Sequence, residues 1–201
     1  RPDETGPVVF GSDQVLGTLR DEMVANKADL VILVHGFACS FENAISNAAS
    51  IKQHYSVRGR MIEVAVFSWP SDGTIDPLKF KYKSDRDDAR SSAKAAARAL
   101  LRLIDYIKAL PVDKWCGRRI HLVAHSMGNY VLRNALQALI SQYNEKVLPP
   151  IFSNIFLMAA DEDDDAFEFD YKLSRLPELA SAVHVYFATD DRALMISDIT
   201  K

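Results

Sequence analysis

The chain's 201 residues leave room for one domain with a sizeable core. With 48% hydrophobic and 25% charged residues it is not a disordered segment, and a net charge of −3 with both signs interspersed argues against nucleic-acid or anionic-membrane partners. The longest apolar runs, residues 30–34 and 155–160, are too short to span a bilayer, and the two cysteines, Cys39 and Cys116, define no disulfide framework.

In chain order, residues 8–10 and 15–19, punctuated by Gly6, Gly11 and Gly17, read as short strands and turns on an antiparallel edge. Residues 29–34 are a β-branched run and read as a buried strand. Ser40 is placed to cap a helix carrying Ala44, Ile45, Ala48 and Ile51. Residues 61–69 read as a second strand and 70–83, which contain Pro70, Gly73 and Pro77, as a loop. Ser84, with Asp87 three residues on, has the spacing of a capping box for a long helix bearing Ala93, Ala96, Ala97, Leu100, Leu101, Ile104 and Ile107 and ended by Pro111. Strands are expected at 119–125, 155–160 and 182–188. Between the first two of these lies a helix with Val131, Leu132, Ala135, Leu136, Leu139 and Tyr143 on one face. Alternating strands and helices of this kind predict an α/β fold: a mostly parallel central sheet with helices on both faces.

The chemistry concentrates at Ala124-His125-Ser126-Met127-Gly128. A hydrophobic strand runs directly into Ser126 and a helix follows at once, which is the context of the nucleophile elbow, G-x-S-x-G. The turn demands small residues two before and two after the serine, and Ala124 and Gly128 meet that demand, alanine standing in for the first glycine. The elbow lifts the Ser126 hydroxyl clear of the sheet and sets the Met127 amide at a helix N-terminus, where unpaired donors and the helix dipole favour an oxyanion. The alternative role for Ser126 is a simple helix cap.

The end of an earlier strand, Leu33-Val34-His35-Gly36-Phe37, is where such a fold draws its second oxyanion donor; Gly36 admits a close approach and Phe37 is the candidate through its main-chain N–H. His35 is expected to be structural, because a base before this loop contradicts the Ser–acid–His order of the fold. His125 is likewise expected to point away from Ser126.

Together with Phe67-Ser-Trp-Pro-Ser71, Tyr82 and Asp85 ahead of the long helix, Ala159-Ala-Asp161 and Asp190-Asp-Arg-Ala-Leu194, these motifs resemble the bacterial α/β-hydrolases grouped as the uncharacterised DUF900 family, from about Asp29 onward. The resemblance implies a hydrolase fold with a Ser–Asp–His triad and no defined substrate. By resemblance, Asp191 matches the acid after the penultimate strand; Asp161, at the end of the strand before it, is the alternative. The catalytic histidine of the family lies after one further strand. The histidines here are His35, His54, His121, His125 and His184, and none follows Asp191. The chain is therefore read as a single domain, residues 1–201, cut before its last strand and helix and open to extension at the N-terminus as well.

The expected activity is cleavage of a carboxylic ester or related small acyl substrate through an acyl-enzyme, with Ser126 as nucleophile, Asp191 as acid, Phe37 and Met127 as oxyanion donors and no cofactor or metal. Trp69, Phe37 and Phe41 are candidates to line an acyl pocket, core packing being the alternative for each. Asp161, Asp163 and Asp165 begin like a calcium loop, but Ala166 and Lys172 stand where the glycine and glutamate belong. The competing reading is an inactive binding or scaffold domain of the same fold. A nucleotide-binding domain is excluded because neither G-x-G-x-x-G nor a P-loop motif is present.

Overall fold

The computed structural model describes residues 11–57, 59–73, 80–143 and 146–188. Helix α1 (Gly11–Ala25) leads into strand β1 (Ala28–Val34), followed by α2 (Phe41–Tyr55), β2 (Met61–Phe67), α3 (Phe80–Ala109), β3 (Ile120–His125), α4 (Gly128–Gln142), β4 (Phe152–Met158) and β5 (Ala180–Tyr186). The strands form one sheet in the order β2-β1-β3-β4-β5, every neighbouring pair parallel. This is the α/β architecture expected from the alternation of elements.

The chain steps from β1 outward to β2, returns across β1 to β3, and then proceeds to β4 and β5. Right-handed crossovers put α2 on one face and α3 and α4 on the other. Accordingly α2 packs on β2, while α3 and α4 lie side by side. Alternate strand residues Val34, Leu122, Ala124, Ile155 and Leu157 are buried, and they join one cluster with Ala96, Ala97 and Ile104 of α3 and Val131, Ala135, Leu136 and Leu139 of α4. The alanines keep α3 close to its neighbours. Full burial of each leucine or isoleucine in this cluster stabilises the fold by about 1.5–3 kcal/mol.

Three sequence expectations are corrected here. Residues 15–19 lie within α1, not in an edge strand; Leu16, Leu19 and Met23 are spaced i, i+3, i+7 and line one apolar cavity with Leu103 and Ile107 of α3. That apolar stripe outweighs the cost of about 1 kcal/mol for Gly17 inside a helix. Residues 8–10 fall outside the described residues. Ser84 is no cap, because α3 already runs from Phe80; Ser84 and Asp87 are exposed on its surface, and the loop predicted for 70–83 loses its last four residues to the helix. Finally, β4 and β5 begin three and two residues earlier than the apolar runs suggested. Strand β4 ends at Met158 because Ala159 turns to φ 45°. By contrast, Ser40 caps α2 as expected, its hydroxyl accepting the Asn43 N–H at 3.2 Å.

Candidate active site

The strand order reverses between β1 and β3, and their C-terminal ends form the crevice in which open parallel sheets bind ligands. Both sequence motifs lie there. β3 and α4 are separated only by Ser126 and Met127. The chain changes from strand to helix in so short a space because Ser126 adopts φ 51°, in the left-handed region. That conformation costs a non-glycine residue on the order of 1–3 kcal/mol and persists only when its surroundings over-determine it.

The surroundings do so. Ser126 donates its N–H to the Met158 carbonyl at 2.9 Å. Its own carbonyl accepts the Asn129 N–H at 3.0 Å and the Asp161 N–H at 3.2 Å. The Asn129 side chain, fully buried, shares its Nδ2 hydrogens among the carbonyls of Ser126 (3.0 Å), Ala124 (3.2 Å) and Met158 (3.4 Å). One amide thus ties the end of β3, the elbow and the end of β4 together.

The small residues of the motif are needed for packing. A Cβ at Gly128 would lie 2.5 Å from the Val34 carbonyl oxygen and 2.7 Å from that of His35, so α4 starts in contact with the backbone at the end of β1. A Cβ at Gly36 would lie 2.9 Å from the Cβ of Ser126 and 3.1 Å from the His125 carbonyl. The loop after β1 and the elbow after β3 therefore touch at Gly36.

His35 holds that loop from behind. Trp69 N–H donates to His35 Nε2 at 3.2 Å, so Nε2 is the acceptor and the proton sits on Nδ1, which donates to the Gly36 carbonyl at 3.0 Å. The indole stacks on the imidazole with centroids 5.1 Å apart, and Trp69 Nε1 donates to the His35 carbonyl at 2.8 Å. Burial lowers the His35 pKa from its ordinary 6.5, against an opposing pull from the Gly36 carbonyl, and the ring is neutral. His35 is structural, as expected, and the buried Trp69 belongs to the same packing, not to a pocket wall. Phe41 is exposed at the start of α2, and Phe37 packs edge-on against Tyr82 at 5.6 Å.

Among the described residues, neither the Phe37 amide nor the Met127 amide donates a hydrogen bond, and the Ser126 hydroxyl has no partner. Met127 is fully buried, and buried amides without an acceptor are rare in folded proteins. The half-buried serine hydroxyl and the two spare donors lie on adjoining loops.

The two candidate acids fare differently. Asp161 is 1% exposed, and its carboxylate is engaged by the Tyr82 hydroxyl and by Arg86 Nη1 at 3.0 Å. Arg86 lies over the Tyr130 ring, 3.8 Å from its centroid. Burial works against the Arg86 charge, but Asp161, Tyr82 and Tyr130 more than offset it and hold the guanidinium pKa above its ordinary value. Asp191 lies outside the described residues. Further along the acidic run the chain supplies its own cations: Arg133 Nη1 donates to Glu162 Oε2 at 2.8 Å, and Lys172 Nζ donates to Asp163 Oδ2 at 3.1 Å and to Asp165 Oδ1. Asp165 caps no helix; residues 164–171 form turns.

Of the five histidines, His54 bonds the Ser50 carbonyl in the last turn of α2. His121 and His184 are bridged by Asn154 across β3, β4 and β5, at 3.1 and 3.0 Å. His125 is exposed at the end of β3.

Residues 14–201 match the family described as alpha/beta hydrolase of unknown function (DUF900). The chain belongs to this α/β-hydrolase family. It is also 37% identical over 82 residues to an uncharacterized protein of Nostoc sp.; the matched stretch is 41% of this chain and 18% of that relative, so the chain spans under a fifth of the relative's length. No solved structure matches the chain.

Two parts of this DUF900 site escape a reading of its sequence. Asn129 looks like an ordinary polar residue in the first turn of α4, and its only signal is its position directly after the small residue of the elbow. The Tyr82–Asp161–Arg86 cluster joins residues 75 and 79 positions apart in this α/β-hydrolase chain and has no local signature.

Proposed function

We propose that this α/β-hydrolase chain carries the nucleophile of a serine hydrolase that cleaves a carboxylic ester or related small acyl compound. The observation that carries the reading is the serine held at φ 51° between strand and helix, with the unpaired amides of Met127 and Phe37 on the loops that meet beside it. A serine with no special task gains nothing from that strained conformation.

In the proposed reaction the Ser126 oxygen attacks the substrate carbonyl and its proton passes to a histidine base. The tetrahedral oxyanion is bound by the Phe37 and Met127 amides. The protonated histidine gives the proton to the departing alcohol, which leaves an acyl-Ser126 ester; water, deprotonated by the same histidine, then hydrolyses it. Asp191 is the proposed partner that orients the histidine. The commitment of Asp161 to Arg86 and Tyr82 supports Asp191 over it. The base itself is proposed to come from outside these 201 residues, because His35, His54, His121 and His184 are bonded elsewhere in the fold and His125, directly before Ser126 in the chain, is expected to point away from it.

A second reading, a non-catalytic binding domain on a hydrolase scaffold, is favoured by the unpartnered Ser126 hydroxyl. Fluorophosphonate treatment of the full-length protein, followed by peptide mass spectrometry, separates the two. The serine-hydrolase reading expects one adduct on Ser126 that is lost in Ser126→Ala. A folded full-length protein that takes up no label would leave the scaffold reading standing.

A further inference from the structure

The second oxyanion donor proposed above sits on a loop with a strained backbone: Ala38, directly after Phe37, has φ 54°. What restrains this loop is a carboxylate from a different part of the chain. Asp85, in α3, is 0% exposed. Its Oδ2 accepts the Ala38 N–H at 3.3 Å and the Ser71 hydroxyl at 2.5 Å, while Oδ1 accepts the Asp72 N–H at 2.9 Å. The Ser71 oxygen in turn accepts the next loop amide, Cys39 N–H, at 3.2 Å. One turn earlier on the same helix, the Tyr82 ring packs against Phe37. Helix α3 thus holds the side chain of Phe37 with one residue and the amide following Phe37 with another, and joins the loop after β1 to the loop after β2.

A buried carboxylate is costly unless its oxygens are satisfied, and here three donors from two loops converge on one group. This arrangement suits an acceptor of three hydrogen bonds and no other side chain of its size. Asparagine has the same shape but offers one acceptor oxygen, and its NH₂ would face an N–H or a hydroxyl.

We propose that Asp85 is a positioning residue for the Phe37 amide: it sets the orientation of the loop after β1 and thereby the geometry of the oxyanion site, without touching substrate. This rests on the serine-hydrolase reading of the site. Removal of a single oxyanion donor typically lowers kcat by about 10²–10³-fold, and a displaced donor costs part of that, about 10–100-fold.

The test uses full-length protein, a p-nitrophenyl ester of a short acid as substrate and a boronic acid as the tetrahedral oxyanion mimic, with kcat expressed per titratable active site. For Asp85→Asn the expected result is a kcat about 10–100-fold lower, a KM within about twofold of wild type and a boronate Ki raised by the same factor as kcat falls. A merely structural role would reduce the titratable fraction and the melting temperature and leave kcat per site and Ki alone. Ser71→Ala, which removes one donor to Asp85 and the acceptor of Cys39 N–H, is expected to move kcat and Ki together by a smaller factor, and it decides the matter where Asp85→Asn fails to fold. A reactive wild type with both parameters unchanged in the folded variants overturns the role of Asp85 alone. A wild type that neither turns over the ester nor takes the fluorophosphonate label overturns the hydrolase reading, and this inference with it.

Discussion

A Cβ placed on Gly36 would come within 2.9 Å of the Cβ of Ser126, closer than two such carbons approach in folded proteins. The same Cβ would meet His125 Nδ1 at 3.0 Å and the His125 carbonyl oxygen at 3.1 Å. Two of these three neighbours, the Ser126 Cβ and the His125 carbonyl, belong to the strained elbow and its strand, which cannot yield cheaply. Gly36→Ala is therefore expected to push the loop after β1 away from Ser126. Overpacking of this kind costs about 1–3 kcal/mol, read as a lowered urea midpoint. On the serine-hydrolase reading the rate of fluorophosphonate labelling falls as well. An alanine variant with wild-type midpoint and labelling rate would mean that the two loops are not in the contact described.

Asn129 fastens the elbow through three carbonyls and carries a buried Oδ1 with no partner among the described residues. Asn129→Ala removes the donor shared by three carbonyls, of which those of Ser126 and Met158 keep backbone partners, at about 0.5–1.5 kcal/mol. Asn129→Asp should be worse than alanine, because it sets a buried acceptor against three carbonyl oxygens. Chemical denaturation of the two variants beside wild type checks the order; an aspartate variant more stable than the alanine one would contradict the donor role of Asn129.

His35 and His121 both have pKa values lowered from the ordinary 6.5. Burial is the main cause at each; at His121 the charge of Asp29 opposes it and that of Arg119 adds to it. At His35 protonation would also displace the Trp69 amide from Nε2. Above 6.5 both rings are neutral whether the chain is folded or not, and the stability is fully present. As pH falls through 6.5 the unfolded chain takes up protons first, so stability declines from there toward the lower folded-state values. The urea midpoint is expected to be flat above about pH 7.5 and lower near pH 5.5. Imidazole NMR signals of His35 that titrate at or above 6.5 in the folded protein would defeat this account.

The elbow was legible in the sequence because its constraints are local. A strand, a serine flanked two residues either side by alanine and glycine, and an immediate helix all lie within ten positions, and backbone sterics alone demand them. The parallel strands announced themselves as short β-branched runs, and Ser40 as a cap, for the same reason. Helix α1 was obscured because Gly17 reads as a breaker when the apolar cavity that Leu16, Leu19 and Met23 line with α3 is not in view. Ser84 mimicked a cap because its spacing to Asp87 is right, although the helix starts earlier. Lys172 was legible only as an obstacle to calcium; its role as the cation between Asp163 and Asp165 needed the fold.

By itself, then, the sequence determined the class of fold, through periodicity within single elements, and it marked the family by resemblance in its motifs and the residues proposed to carry the chemistry by the local geometry of the elbow. The tertiary structure decided what those residues meet. The order β2-β1-β3 brings Gly36 against Ser126, 90 positions apart in the chain, and α3 carries Asp85 to the amide of Ala38 and Arg86 to Asp161. Such contacts follow from the packing of whole elements, and no short-range pattern encodes them.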